Sequence, residues 1–300
     1  MSPFPKTKPP VNAKVLDTWL RDHAAGDDEQ KNRRRRGISF VIVAAVLGEL
    51  RDDDATPLFI LKGGVPMLLR FGRRTRLSAD EDAVFRREMK HLEAVLAEAV
   101  RHPVGGFTVR AVGKPVHIGP TDAFRQQLKI SFRGKPWGQI PLEVSRPEGR
   151  SADPAGADLL DPDPDPTVFG LDPVGPFPCL SVRYQIAQKL HACTDVKGAE
   201  GSRESPNTRS RDLLDLLLLE ELVEDGHLPD VRAACVEVFT LRAKHAWPPR
   251  VTVYAAWPDD YRRLAEENAF PVTDVYEAVE RVHVFIARID EAAGRSTQDE

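Results

Sequence analysis

Cysteine is scarce in this chain of 300 residues: there are three, Cys179, Cys193 and Cys235. An odd count with no CxxC pair excludes a disulfide framework and a structural zinc site, and fits a reducing cytoplasm. Long apolar runs are missing as well. No stretch approaches the ~18 uninterrupted apolar residues of a membrane helix, and the N-terminus, MSPFPKTKPPVNAK, lacks the apolar core of a secretion signal. There is no GxxxxGK[ST] and no GxGxxG, which excludes a Walker-type phosphate loop and a dinucleotide fingerprint. Nor is there an excess of positive charge. Lys and Arg total 42 against 46 Asp and Glu, a net charge of −4, which argues against wholesale coating of nucleic acid but leaves room for a local basic surface. No internal repeat is visible. What remains, 41% hydrophobic and 29% charged residues, is the composition of a globular protein expected in the cytoplasm with no membrane partner.

Taken in order, residues 1–37 read as a Pro- and Lys-containing arm with a short helix over Val15–His23. The run Lys31-Asn32-Arg33-Arg34-Arg35-Arg36 reads either as a solvated helix start or as a phosphate-contacting patch. Ile38–Leu50 is a buried helix. After Arg87, Met89, Leu92, Val95, Leu96 and Val100 recur at helical spacing. Phe107–Val112 and Gln126–Phe132 read as strands, the second paired with Ile140–Val144 as a hairpin. From Arg146 to Pro178 Pro, Gly and Asp dominate, including Asp161-Pro162-Asp163-Pro164-Asp165-Pro166. This predicts a surface connector between domains, and extended proline geometry does not converge its carboxylates on a metal. Beyond it come helices at Val182–Thr194, Arg209–Leu222, Val231–His245 and Thr273–Ala293, with a flexible insert over Lys197–Asn207.

The stretch Pro57–Arg86 carries the chemistry. It reads as strand, Lys62-Gly63-Gly64 turn, helix, Arg-rich turn, and a second strand bearing Asp80 and Asp82. A glycine pair between strand and helix lets the backbone approach an anion at the helix N-terminus, and Pro66 suits a first helical turn. Residues two apart on a strand share a face, so Asp80 and Asp82 can bridge two Mg²⁺ ions about 4 Å apart beside a polyphosphate, while Glu81 points to the opposite face. Glu143, near the end of an apolar strand, is either solvent-facing or a third carboxylate for Mg²⁺ or Mn²⁺.

The order Lys62-Gly63-Gly64, Arg76-Leu77-Ser78-Ala79-Asp80-Glu81-Asp82, Lys189 in QIAQKLHA, then Arg209-Ser210-Arg211-Asp212-Leu213-Leu214-Asp215 resembles the AbiEii family of nucleotidyltransferase toxins of toxin–antitoxin systems. The segments ISFRGKPWGQIPLEVS, YQIAQKLHA and HAWPPRV resemble its mycobacterial MenT branch. The resemblance covers residues 38–290. It implies an α/β (α+β) fold: a polymerase-β-like nucleotidyltransferase domain with a mixed sheet over 38–175, then a mainly α-helical C-terminal domain over 176–300. It also implies nucleotide transfer from an NTP to the 3′ end of tRNA, blocking translation, and a cognate antitoxin as partner. By residue, it implies catalytic roles for Asp80, Asp82, Lys189 and Asp212, with Lys62, Gly63, Gly64, Ser78 and Arg211 contacting the nucleotide. The family often has an apolar residue where Glu81 stands, so Glu81 either adds charge near the site or faces solvent. His191 reads as a packing or surface histidine.

In-line attack by an RNA 3′-hydroxyl on the α-phosphorus, with pyrophosphate leaving, needs positioning and charge neutralisation and no covalent intermediate. Arg33–Arg36, Arg70, Arg73, Arg74 and Arg76 are the candidates for holding the acceptor. The other readings are transfer to a small molecule or a protein hydroxyl, and a non-catalytic nucleotide-binding partner protein. A phosphate on Ser78 would add about two negative charges beside Asp80 and Asp82. Ser78→Asp is therefore expected to lose transfer activity while remaining folded. Full activity in that variant would remove Ser78 from the phosphate site.

Overall fold

Asp27 caps a helix of 21 residues, α2 (Asp28–Gly48), by accepting from the N–H groups of Glu29 and Gln30. Asp28 and Glu29 in its first turn add negative charge where the helix dipole favours it. The structure, a computed structural model, describes residues 4–25, 27–119, 122–196 and 206–292. The basic run thus lies within α2 instead of ahead of it, and a boundary at 37/38 would cut this helix. Before it, α1 (Ala13–His23), capped by Asn12, buries Leu16 and Leu20 completely in the main core. The described residues of this stretch, 4–25 and 27–37, are therefore part of the folded unit. Their apolar spacing at 16 and 20 is that of a helix laid on a core.

Among the described residues, seven strands form one mixed sheet in the order β3-β4-β5-β2-β1-β7-β6. The strands are β1 (Phe59–Lys62), β2 (Glu81–Phe85), β3 (Phe107–Ile118), β4 (Ala123–Phe132), β5 (Lys135–Ser145), β6 (Asp158–Leu160) and β7 (Phe177–Cys179). Between β1 and β2 lies α3 (Gly64–Phe71), and α4 (Leu92–Ala99) precedes β3. β2 pairs antiparallel with β1 and parallel with β5. Phe59, Leu61, Ala83, Phe85, Leu142 and Val144 point into the large core with the apolar half of α2. Alternation then sends Lys62, Asp82 and Glu143 to the other face.

The proline-rich stretch is not a surface connector. Phe177, Pro178 and Cys179 are buried as β7, parallel to β1 through Leu61 and Cys179, and Phe169 lies in the core. A Cβ on Gly37 would meet Pro164 Cδ at 2.6 Å, so the DPDPDP run packs on α2 where that helix has no side chain. The short apolar triplet FPC is too brief for periodicity to reveal.

The chain divides into two compact units. One comprises Met1–Gly72, Leu77–Pro147 and Ala152–Leu180; the other comprises Arg73–Arg76, Glu148–Ser151 and Ser181–Glu300. The second is helical: α5 (Val182–Thr194), α6 (Arg211–Glu220), α7 (Leu228–Arg242), α8 (Trp257–Glu267) and α9 (Val275–Glu291). α8 was absent from the sequence reading, because Trp257, Tyr261 and Ala265 bury only a narrow stripe. Leu213, Leu214 and Leu216 to Leu219 are buried all round α6, the mark of an interior helix. Most of the expected 197–207 insert, residues 197–205, lies outside the described residues. Asn207 itself ties the chain to the end of α5 through the carbonyls of Ala192 and Asp195, at 2.9 and 2.8 Å.

Within this unit His191 is buried against Phe239 and His245, ring centroids 4.9 and 4.6 Å away, as a packing histidine. Arg242 Nη1 stands 3.4 Å from its Nδ1, and an arginine only donates, which puts the imidazole proton on Nε2. Burial, with Arg242 and His245 adding to it, pushes its pKa down to about 4. Between pH 6.5 and about 4 the unfolded chain binds a proton at His191 that the folded chain refuses. Stability from this group is full at higher pH and is lost as the pH falls through that window, by up to about 3 kcal/mol. His191→Gln is expected to flatten the slope of unfolding free energy against pH in urea titrations across this range. A slope identical to that of the unaltered protein would overturn the assignment.

Candidate metal and nucleotide site

Two side chains explain the glycine pair. Gly63, the residue before α3, has φ +68°, and a Cβ there would lie 2.2 Å from Asp82 Oδ2 and 2.9 Å from its Cγ. A Cβ on Gly64 would lie 2.6 Å from Ser78 Oγ and 2.7 Å from Ser78 Cβ. The start of α3 is thus packed directly on the carboxylate of Asp82 and the hydroxymethyl of Ser78. Any side chain would drive them away. Ser78 is buried and donates from Oγ to Asp80 Oδ1 at 3.2 Å.

Asp80 sits just before β2, not on it as the sequence suggested, and Asp82 is the second residue of the strand. Asp82 is in register with Lys62 on one side and Glu143 on the other. Asp80, Asp82 and Glu143, all half-buried, each bring one carboxylate oxygen within 4.8 Å of the others. Of the two readings of Glu143, the third-carboxylate one matches this geometry. Among the described residues it is the one such group of acidic, His or Cys side chains. Hard oxygen donors at this spacing fit Mg²⁺ or Mn²⁺, and they leave positions open for phosphate oxygens. Lys62 extends along the same face to donate to Ser145 Oγ at 2.8 Å.

Glu81, between the two aspartates, points to the opposite face as expected, but that face is the interior. It is fully buried with neither carboxyl oxygen hydrogen-bonded. Burial, then the neighbouring Asp82 and Asp80, push its carboxyl well above the usual range. It does not face solvent.

Most arginines proposed for an acceptor have other partners. From α2, Arg33 donates to the carbonyl of Gly72 at 3.0 Å, and Arg36 donates to the carbonyls of Ser78 at 3.0 Å and Ala79 at 2.5 Å. Arg35 pairs with Asp17 and stacks on Trp137. Arg70 is held by Asp158 and the Leu180 carbonyl, Arg74 by Glu221, and Arg76 lies 3.6 Å from Asp215. From this run, Arg33 and Arg36 clamp backbone carbonyls on either side of the Arg-rich turn. Two contributors escaped the sequence reading. Arg125 binds Glu143 Oε1 through Nε at 2.9 Å and through Nη2, leaving Oε2 free of it. The expected start of β4 at Gln126 had cut it off.

In the helical unit, Lys189 is buried with its ammonium 3.2 Å from Asp212 Oδ1 and 2.5 Å from Asp215 Oδ2. Burial works to raise the Asp212 carboxyl, but Lys189, Arg209, Arg211 and Arg76 outweigh it and hold it below its ordinary range. Asp215 is the second residue missed. Three positions after Asp212 on one helix, it shares that face, and this spacing was the available signal. Arg211 is exposed at the start of α6.

If the glycine contacts set the carboxylate geometry, Gly63→Ala should lower nucleotidyl transfer by about 100-fold or more, the scale of a 1 Å misplacement. Gly134, at φ +74° with nothing within 4 Å of a Cβ, supplies the control. Gly134→Ala carries the same backbone strain and is expected to keep activity; parallel loss in both variants would assign the effect to folding.

A family model described as "Nucleotidyl transferase AbiEii toxin, Type IV TA system" matches residues 45–292. No curated protein matches. Among solved structures, the MenT4 nucleotidyltransferase toxin of Mycobacterium tuberculosis H37Rv is 18% identical, with TM-score 0.49, covering 92% of this chain and 98% of that one. JHP933 from Helicobacter pylori is 15% identical at TM-score 0.45, covering 90% and 96%. A further H. pylori structure described as a nucleotidyltransferase is 16% identical at 0.43, covering 88% and 96%. These scores are too low to carry an argument beyond the family match. That match spans most of the chain, and the protein belongs to the AbiEii family of nucleotidyl transferase toxins of type IV toxin–antitoxin systems.

Proposed function

We propose that this protein transfers nucleotides from an NTP to the 3′ end of tRNA, so blocking translation, and that a cognate antitoxin restrains it in the cytoplasm. The observation that carries the reading is the meeting of three carboxylate oxygens within 4.8 Å at a helix N-terminus from which side chains are excluded. Asp80, Asp82 and Glu143 would hold Mg²⁺ or Mn²⁺, which supplies charge neutralisation to the triphosphate and acidity to the attacking hydroxyl. The N–H groups at Gly63 and Gly64 and the Ser78 hydroxyl receive phosphate oxygens, and the helix dipole of α3 adds to the attraction. Lys62 sets a positive charge beside Asp82 on the same face. Lys189, fixed by Asp212 and Asp215, and Arg211 are the cations that the family pattern assigns to the nucleotide. The reaction is in-line: the acceptor 3′-oxygen bonds to the α-phosphorus, the bond to the bridging oxygen breaks, and pyrophosphate leaves with that electron pair.

The test is to incubate the purified protein with α-labelled NTPs, total RNA and lysate protein. Label is expected on the 3′ end of tRNA, and Asp80→Ala should lower it by at least about 10³-fold, or about 4 kcal/mol, with folding intact. Label on a small molecule or a protein hydroxyl would move the acceptor. Full activity of Asp80→Ala would overturn the site.

A further inference from the structure

Strands β3, β4 and β5 are unusual in charge. In a protein of net charge −4, they carry a single acidic residue, Glu143, against Arg110, Lys114, Arg125, Lys129 and Lys135. Register sorts these by face. Arg125 is opposite Glu143, and Arg110 is opposite Lys129. Counting by twos along β4 puts Arg125 and Lys129 on one side, the side of Glu143 and Asp82. The alternate residues Leu128, Ile130, Ile140 and Leu142 are buried in the core. Arg110 and Arg125 are exposed and Lys129 half-buried. Arg125 is tied to Glu143, whereas neither Arg110 nor Lys129 has an acidic partner among the described residues. Opposite Arg125 on β3 stands Val116, 66% exposed, an apolar surface between cations.

We propose that this face of β3–β5 is the platform for the acceptor strand: the single-stranded 3′ end of an RNA lies along it toward the carboxylates. Its phosphates pair with Arg110 and Lys129, its terminal ribose passes Arg125, and Val116 supports a base or sugar. Arg125 and Lys129, four residues apart on a strand, are separated by about 13 Å, the reach of a few nucleotides of extended chain. Charge complementarity and continuity with the acidic centre select this occupant. A polyanion is repelled by the three carboxylates alone and needs cations leading to them. The sequence placed this role on the arginines of α2 and the turn, most of which are engaged with other partners. The proposal rests on the reading that the acceptor is RNA.

The test compares the unaltered protein with Arg110→Gln/Lys129→Gln, using purified tRNA and labelled NTP over a series of salt concentrations. The unaltered protein is measured first, since its failure to label any RNA would remove the RNA reading itself. Given labelling, the double variant is expected to raise KM for tRNA about tenfold and leave KM for the nucleotide in place. The dependence of log KM on log salt should lose about 1.4, two phosphate contacts at about 0.7 each for a single strand. Arg110→Lys/Lys129→Arg should restore both. An unchanged tRNA KM and salt slope, with labelling intact, would overturn the platform while leaving the RNA reading standing. So would a variant that keeps its tRNA KM and loses only antitoxin binding, since the face would then belong to a protein partner.

Discussion

Like charges held close set the main constraint on this molecule. Three carboxylate oxygens within 4.8 Å of one another repel, and such a group is tolerated only where opposite charge is supplied. Part of that supply is built in. Arg125 binds one oxygen of Glu143, and the field of Asp80 and Asp82 adds to that of Glu143 in holding the guanidinium charged. Lys62 stands in register beside Asp82. The start of α3 packs directly on the Asp82 carboxylate, so the positive end of that helix lies beside it. The geometry of the group is one that could hold a divalent cation, which would supply the rest. The acidic side chain between the two aspartates, Glu81, is turned into the core on the opposite face, where burial favours its neutral form.

Holding such a group in place requires a stiff backbone, and the arginines of α2 provide it. Arg33 and Arg36 are three apart, on one face of the helix. They reach the carbonyl of Gly72, where α3 ends, and those of Ser78 and Ala79, directly before Asp80. A charged donor on a backbone acceptor is a strong form of hydrogen bond. The loop that carries Ser78 and Asp80 is therefore tied to a helix whose other half is buried in the core.

This division of labour shows what a sequence can reveal. Asp82 was legible because position on a strand fixes a face, Asp80 was found through a strand placement that proved one residue too long, and Gly63-Gly64 stood out because a glycine pair between strand and helix has few other uses. The mixed sheet was implied by the family resemblance, and alternation made legible the hairpin 126–144 and the strands around the glycine turn. The basic run was misread because charge in sequence says nothing about which carbonyls lie nearby, and those lie 39 to 43 residues away. Arg125 escaped because the strand was drawn too short by three residues. β7 escaped because three buried residues among prolines have no period to detect. Local rules located the chemistry; long-range partners decided which cations were free for it.

The same argument bears on Lys189. A buried ammonium between two buried aspartates is a poor source of stability, since desolvation offsets most of the attraction and a hydrophobic side chain of similar size is often no worse. In a helix as rich in leucine as α6 the apolar solution was close at hand. Instead Asp212 and Asp215 both point at one ammonium, and Asp215 leaves its Oδ1 without a hydrogen bond. Two acceptors on one rigid helix fix the position of Nζ. An arrangement that gives up stability to hold a cation still is not explained by packing alone.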